Sequence, residues 1–434
     1  MQFDEALSYL LSLGHETLAI KLGLTNTEKL LAALGDPQKS FPSVQLAGTN
    51  GKGSAAVMLE AITRAAGLRT GLYTSPHLVS ITERVRVWNR ELGREEFARL
   101  TTRVRAAAER LVSEGTLPAL PTFFEHVTAV ALAAFQEAQV EMAILETGLG
   151  GRLDATTTAQ AGVVAITPVA LDHQEYLGGT PAQIASEKAA IIRPNVAAVV
   201  APQAAEALEV ILRRAAECNV VPRMAACAFE VLGAEETGRL RVNFETAEDR
   251  YEGVRLALRG RHQIVNAQVA IALAETLRAR GFPLTRAAII EGLETAEHAG
   301  RLELRRFSGH DLLFDGAHNA AGARALRDFL DEFVRAPVTL LFGAMRDKDL
   351  TEIAAALFPA AHHLILTQPA NPRAAAPETL ARLVPHGFDS SRITLAPSAA
   401  EAVNIARAQT PSAGIICVTG SLYLVGEVQS IVAA

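Results

Sequence analysis

The segment VQLAGTNGKGSAAVMLEAI, residues 44–62, sets a glycine-rich turn between an apolar run and a stretch with helical spacing. In that order, the backbone N–H groups of Gly51, Lys52 and Gly53 would face a phosphate at a helix N-terminus, where the peptide dipoles favour an anion. Lys52 adds a point charge, Ser54 an oxygen, and Thr49 and Asn50 lead into the turn. The spelling departs from the Walker A pattern, in which a first glycine precedes Gly-Lys-Ser/Thr by four residues. Leu46 stands where that glycine would be, and Gly53 follows the lysine, so the hydroxyl waits until Ser54. A nucleotide phosphate site is the reading the context favours over a turn that only packs.

A phosphate loop calls for Mg²⁺, which takes hard oxygen ligands and keeps several of its waters. The run MAILET ends on Glu146, and VALDHQEYLGG places Asp172 and His173 beyond the next apolar run. With Ser75 of YTSPHL, these groups stand at strand ends, on the sheet edge where α/β proteins gather their ligands. Ser75, Glu146 and His173 are therefore the metal candidates; the plainer alternatives are a solvent carboxylate and a structural histidine.

Positioning these groups takes a parallel sheet. The runs 44–48, 70–75, 142–147, 162–169 and 197–202 are short and continuously apolar, and 54–67 and 122–139 between them show helical spacing. Continuous apolar strands alternating with helices indicate a sheet covered on both faces. After about residue 225 the texture changes: AFEVLG, RLRVNFE and VRLALRG alternate, as antiparallel strands with one wet face do. A helix over 262–281 and another ending near 296–300 follow. From RLELRRF (301–307) a second α/β rhythm begins, through LLFDGAH, VTLLFGAM, HLILTQPA, RITLAPS and GIICVTGS. The expected fold is α/β: an N-terminal P-loop ATPase domain, residues 1–298, with a mostly parallel sheet and a small antiparallel one, then a C-terminal Rossmann-like domain, residues 299–434.

The chain has 434 residues, nearly half of them hydrophobic, which suits two or three domains. A formal net charge of -6 gives no electrostatic footprint for nucleic acid. Three cysteines without metal spacing argue against a disulfide framework and fit a reducing, cytoplasmic setting. The first residues, MQFDEALSYLLSL, lack the basic start of a signal peptide, and no apolar run approaches the ~20 residues that span a bilayer.

Taken together, AGTNGKGS, YTSPHL, TERVRV, TFFE, ETGLGGRLDAT, ALDHQEYLG and SEKAAIIR resemble the folylpolyglutamate synthase and dihydrofolate synthase family, among the Mur-ligase-like ATP-dependent amide-bond formers. DGAHN (315–319), GAMRDKD (343–349) and GSLYLVGE (420–427) extend the resemblance over essentially the whole chain. It implies that the GKGS spelling is a family variant. It also implies ATP in an interdomain cleft, with Lys52, Gly53 and Ser54 on the phosphates, Asn266 of HQIVNAQVA at the nucleotide, and Arg301 and Asp315 reaching it from the C-terminal side. Ser75, Glu146 and His173 match the family's magnesium positions. Lys188, which read alone is a solvent lysine on a helix, matches a lysine that is carbamylated and helps hold a second Mg²⁺.

The activity implied is ligation of L-glutamate to a folate or dihydropteroate carboxylate through an acyl phosphate, with Lys52, Lys188, Asp315 and His318 as the catalytic set. His318 and Ser421 match positions near the incoming glutamate, although His318 read alone serves equally well as a helix cap. Thr122, Phe123, Phe124 and Glu125 of TFFE, and Arg152, Leu153 and Asp154, match a dihydropteroate-contacting region; Phe123 and Phe124 offer rings to a flat heterocycle. Ala190, Ala320 and Thr157 depart from the family's usual glycine, proline and asparagine without removing a charged group. The resemblance implies a monomer. The competing readings are another Mur-type ligase acting on a peptidoglycan precursor, or a P-loop ATPase that ligates nothing.

Overall fold

The computed structural model describes residues 1–14 and 23–433. Eight strands form the largest sheet: β1 (Ser43–Ala47), β2 (Thr70–Tyr73), β3 (Val85–Val87), β4 (Arg90–Glu91), β5 (Met142–Glu146), β6 (Val163–Ile166), β7 (Ala197–Val200) and β8 (Arg223–Met224). Their order is β4-β3-β2-β5-β1-β6-β7-β8. The six strands from β2 to β8 run parallel, and only β3 and β4 at one edge are antiparallel. β1 is wholly buried, and the central polar side chain, Gln45, donates to Thr156 Oγ1 at 2.9 Å and Thr157 Oγ1 at 2.8 Å. From β1 the chain crosses to β2 on one side and later returns to β6 on the other. That switch opens a crevice at the carboxyl ends of β1 and β5, where such sheets bind ligands.

Helices cover both faces. Lys52–Ala65 and Gln263–Ala279 pack on one, together with the small sheet, and Arg94–Ser113 and Phe123–Glu137 on the other. The small sheet has the order β11-β10-β9, with β9 (Ala228–Ala234), β10 (Leu240–Glu245) and β11 (Arg250–Arg255) antiparallel. Leu240, Val242 and Phe244 face the core and the residues between them face outward. Its third strand is RYEGVR rather than VRLALRG: beyond Leu256, whose N–H still bonds Leu240 O, the chain leaves the ladder, burying Leu258 as it carries His262 toward the crevice.

The C-terminal sheet contains β12 (Glu303–Phe307), β13 (His310–Phe314), β14 (Val338–Phe342), β15 (His363–Thr367), β16 (Ile393–Ala396) and β17 (Ile415–Thr419), in the order β12-β13-β17-β14-β15-β16. Each of the six segments expected to alternate with helices after residue 300 contains a strand. β12 is antiparallel to β13 and the rest are parallel, with a core on each face. Among the described residues no helix is long and apolar enough to cross a membrane. Cys218, Cys227 and Cys417 are free thiols.

Candidate active site

Two adjoining cavities lie between the carboxyl edges of the large and the C-terminal sheets. The first, of about 340 Å³, is lined by the phosphate-loop segment 48–54 and by Ser75, Glu146, His173, Lys188, Asn266, Arg301, Asp315 and His318. Every nucleotide, metal and catalytic candidate drawn from the sequence thus meets in one place. The second, of about 490 Å³, is lined among others by Thr122, Phe124, Glu125, Arg152, Leu153, Asp154 and Ser421. Ser75, His173 and His318 face both.

The phosphate loop turns where Gly51, at φ +85°, caps the helix Lys52–Ala65 in the left-handed region that glycine tolerates best. A Cβ there would also lie 2.2 Å from Asn266 Oδ1. The residue after the lysine is held to glycine by space. A Cβ on Gly53 would come within 2.8 Å of His298 Cε1 and 3.2 Å of Glu146 Oε2. This crowding is the physical reason for the GKG spelling. Lys52 folds over its own loop, donating to the carbonyls of Gly48 (3.1 Å) and Thr49 (3.3 Å), with Nζ 4.0 Å from Glu146 Oε1.

Glu146 closes β5 with its carboxylate buried, accepting the N–H of Ser75 at 3.2 Å. Burial raises its pKa, against the opposing charge of Lys52. An ionised carboxylate has about four acceptor sites, so one hydrogen bond and a distant ammonium leave capacity for a cation. His173 sits at φ +50° at the start of a short helical turn, and burial lowers its pKa to about 4, keeping a neutral nitrogen available as a ligand. Among the described residues no three His, Cys, Asp or Glu side chains form a metal-holding cluster. A donor set of one carboxylate, one imidazole and serine hydroxyls leaves most positions to water and phosphate oxygens. That suits Mg²⁺ better than a metal needing a full protein cage.

Lys188 is no solvent lysine: it is 4% exposed and donates to the Gly48 carbonyl at 2.7 Å. Burial first, and the charge of Lys52 second, lower its pKa to about 7. Asp315 is buried, and its two oxygens accept the N–H groups of Leu302 (3.0 Å) and Ala317 (2.9 Å), so it pins the loop after β13 to the chain entering β12. Burial raises its pKa, opposed by Arg301. The helix after His318 is capped by Asn319, whose side chain accepts from Gly322 N at 2.8 Å; His318 instead bonds the Gly316 carbonyl at 2.7 Å.

Around the second cavity the expectations divide. Phe123 is a correction: at 4% exposure it belongs to the core, under the Arg84 guanidinium at 5.4 Å from the ring centroid, and offers no face to a ligand. The first residue of a helix that packs on a sheet points inward, and Phe124 beside it takes the cavity wall. Thr122 and Glu125 form the cap of that helix, and Glu125 also accepts from Thr27 Oγ1 at 2.9 Å. The Asp154 carboxylate braces its own loop through the N–H groups of Gly148 (2.8 Å), Leu149 (3.0 Å) and Thr156 (3.0 Å). Arg152 pairs with Glu187 at 3.0 Å, and Ser421 accepts from Leu424 N at 3.1 Å.

The sequence reading missed Asp172 as a hub. It is 9% exposed and accepts from Lys348 Nζ at 2.5 Å and Asn319 Nδ2 at 3.1 Å, with His318 Nε2 at 3.5 Å. All three partners come from the C-terminal sheet's loops, so one carboxylate ties the two halves together beside the site. Burial opposes its ionisation. The hydrogen bond and charge of His318, together with the charge of Lys348, outweigh burial and hold the carboxyl well below the usual range. The only advance signal for Lys348 is RDKD, a charged cluster directly after a strand.

A phosphate-loop sheet facing a Rossmann-like sheet across a shared crevice is the architecture of the Mur ligases. Residues 46–274 match the Mur ligase middle domain and residues 300–422 the Mur ligase glutamate ligase domain. A probable bifunctional folylpolyglutamate synthase/dihydropteroate synthase of Halobacterium salinarum is 36% identical over 99% of this chain and 52% of its own length. Its counterpart in Haloferax volcanii is 35% identical over 99% and 50%; the chain therefore spans about half the length of these two relatives. The dihydrofolate synthase/folylpolyglutamate synthase of Mycobacterium tuberculosis is 32% identical over 94% of this chain and 89% of its own.

Among solved structures, Mycobacterium tuberculosis folylpolyglutamate synthase complexed with ADP superposes with a TM-score of 0.92 at 31% identity, covering 100% of this chain and 98% of that one. Escherichia coli FolC in complex with DHPP and ADP gives 0.87 at 31%, covering 100% and 98%. A bifunctional folylpolyglutamate synthase/dihydrofolate synthase with Mn, AMPPNP and L-glutamate bound gives 0.85 at 30%, covering 100% and 98%. The chain belongs to the Mur ligase family, in its folylpolyglutamate synthase/dihydrofolate synthase branch.

Proposed function

We propose that this protein joins L-glutamate to the carboxylate of dihydropteroate or a reduced folate at the expense of ATP, through an acyl phosphate. One observation carries the reading: a phosphate-loop cavity and a second cavity walled by Phe124 meet at Ser75, His173 and His318. A carboxylate reaching from the second cavity would arrive beside the phosphates held in the first. The ligands named for the solved relatives, ADP or AMPPNP, Mn, DHPP and L-glutamate, support it.

A carboxylate is a poor electrophile, and phosphorylation makes it one. The protein's part in that transfer is positioning and charge neutralisation. Lys52 and the N–H groups of Gly51 to Ser54 would hold the phosphates, with Asn266, Arg301 and Asp315 around the rest of the nucleotide. Ser75, Glu146 and His173 would hold Mg²⁺, which neutralises phosphate charge when bound. Carbamylation of Lys188 would add a carboxylate for a second ion; a lysine amine with a pKa near 7 is largely neutral above that pH, the state that attacks CO₂. His318, Ser421 and the C-terminal wall would receive glutamate, whose amine displaces phosphate. Closure of the two halves, tied at Asp172, would keep water from the acyl phosphate. We assign residues 1–298 to nucleotide binding and 299–434 to the glutamate side, and one chain as the working unit.

The test is phosphate release with ATP, Mg²⁺ and L-glutamate, run with dihydropteroate, with tetrahydrofolate and with neither. Release that requires a pteridine is expected. Release without one would indicate a plain ATPase, and silence throughout would move the acceptor to another class, such as a peptidoglycan precursor. In the same assay His173→Ala is expected to raise the Mg²⁺ concentration for half-maximal rate by about tenfold or more; an unchanged magnesium titration removes His173 from the metal site.

A further inference from the structure

The segment 296–300 joins the helix Arg286–Thr295 to β12 and so connects the two halves of the molecule. It also forms part of the nucleotide cavity. His298, in the middle of it, reaches back 244 residues in sequence to the phosphate loop, where its Nδ1 lies 3.2 Å from Ser54 Oγ. The same ring covers Gly53 closely enough that a Cβ there would sit 2.8 Å from Cε1 and 3.1 Å from Nε2. Arg301, three residues on, lines the cavity as well.

These contacts connect two oddities of the loop. A side chain on the residue after Lys52 would run into the imidazole, with Glu146 Oε2 close by at 3.2 Å. The hydroxyl that a Walker loop carries at that point appears one position later, on Ser54, and there it meets the imidazole. A serine hydroxyl otherwise samples three staggered positions; a hydrogen bond from a ring anchored in the connecting segment selects one. Burial first, and the charges of Arg301 and Arg86 next, lower the His298 pKa well below its usual value. A neutral imidazole has one donor and one acceptor nitrogen, so either tautomer sustains the bond to Ser54.

We propose that His298 is a positioning residue for the phosphate loop: it holds the Ser54 hydroxyl in the orientation that receives the nucleotide's phosphates or their metal, and so ties phosphate binding to the segment between the two halves. This rests on the reading of residues 48–54 as a nucleotide phosphate site.

The decisive experiment is a double-mutant cycle on binding of Mg²⁺·ADP, measured by isothermal titration calorimetry with the full-length protein. His298→Ala is expected to weaken binding about 3- to 10-fold, the scale of one hydrogen bond. His298→Asn, whose side-chain amide reaches the place of Nδ1, is expected to return to within about twofold of the native affinity. If the two residues act through one contact, Ser54→Ala/His298→Ala should bind no more weakly than Ser54→Ala alone. The KM for ATP should rise in His298→Ala while those for glutamate and the pteridine stay unchanged, a split that general loosening of the fold would not produce. Additive losses in the cycle, or an asparagine variant no better than alanine, would overturn the proposal and leave the phosphate site standing. If the unmodified protein binds no Mg²⁺·ADP, the phosphate-site reading falls and this proposal falls with it.

Discussion

Lys52→Ala is expected to lower the rate of ATP-dependent ligation by about 10³-fold or more, on the scale of losing a preorganised charge at a reacting centre, with the fold intact. Lys52 is the nearest cation to Glu146 and is the one residue of the loop that brings a full positive charge. Among the described residues its Nζ donates to carbonyls of its own turn, Gly48 and Thr49, and Gly48 O also accepts from Lys188. Truncation therefore leaves the turn partly bonded, and the left-handed Gly51 cap is untouched. Phosphate release, read beside circular dichroism and urea unfolding, checks both halves of the expectation. Turnover near the native level would remove the phosphate-loop assignment.

Lys188→Met is expected to separate stability from activity. The Lys188 pKa falls from 10.5 to about 7 on folding, chiefly because the cation is buried. Where a folded-state pKa is lowered for a base, the unfolded chain binds more protons over the interval between the two values, so native stability rises with pH across it. With Lys188 unmodified, the native protein thus carries its full penalty below pH 7 and sheds it progressively toward pH 10.5. A shift of this size amounts to a few kcal/mol, about 1.4 for each pKa unit. Methionine does not titrate, and Gly48 O keeps its bond from Lys52. The variant should therefore unfold at higher urea than the native protein at pH 6, with the gap narrowing by pH 9. Ligation should fall at least about 100-fold if Lys188 supports a metal. Equal urea midpoints at both pH values would contradict the buried-cation account. Intact-mass measurement of protein held in bicarbonate, showing no added CO₂ on Lys188, would count against carbamylation independently.

What could be read from the chain alone, and what could not, divides along the range of the interactions involved. The five apolar runs of the first half, and those of β14 and β17 after residue 300, announce their strands, because a strand buried on both faces must be apolar throughout. The turn chemistry of GTNGKGS and the strand-end carboxylate Glu146 are equally local, and both line the cavity proposed for the nucleotide. Some local signals are present but easily passed over. REEFARLTTRVRAAAERLVS carries Phe97, Leu100, Val104, Ala108 and Leu111 at helical spacing and forms the longest helix of that face.

The rest depended on partners distant in sequence. Whether Phe123 or Phe124 faces a ligand turns on a helix rotation of about 100°, which only packing against β2 and Arg84 decides. Lys188 looks like a surface lysine until the loop at Gly48 closes over it, and Asp172 is one acid among many until Lys348 and His318 arrive from the other sheet. The glycine at 53 is the clearest case. Its type is written in the sequence, but the reason is His298, 245 positions further along the chain, which fills the space where a side chain would stand. Local periodicity and turn chemistry determined the elements and the place of the site; burial and long-range contact decided which of its residues are free to act.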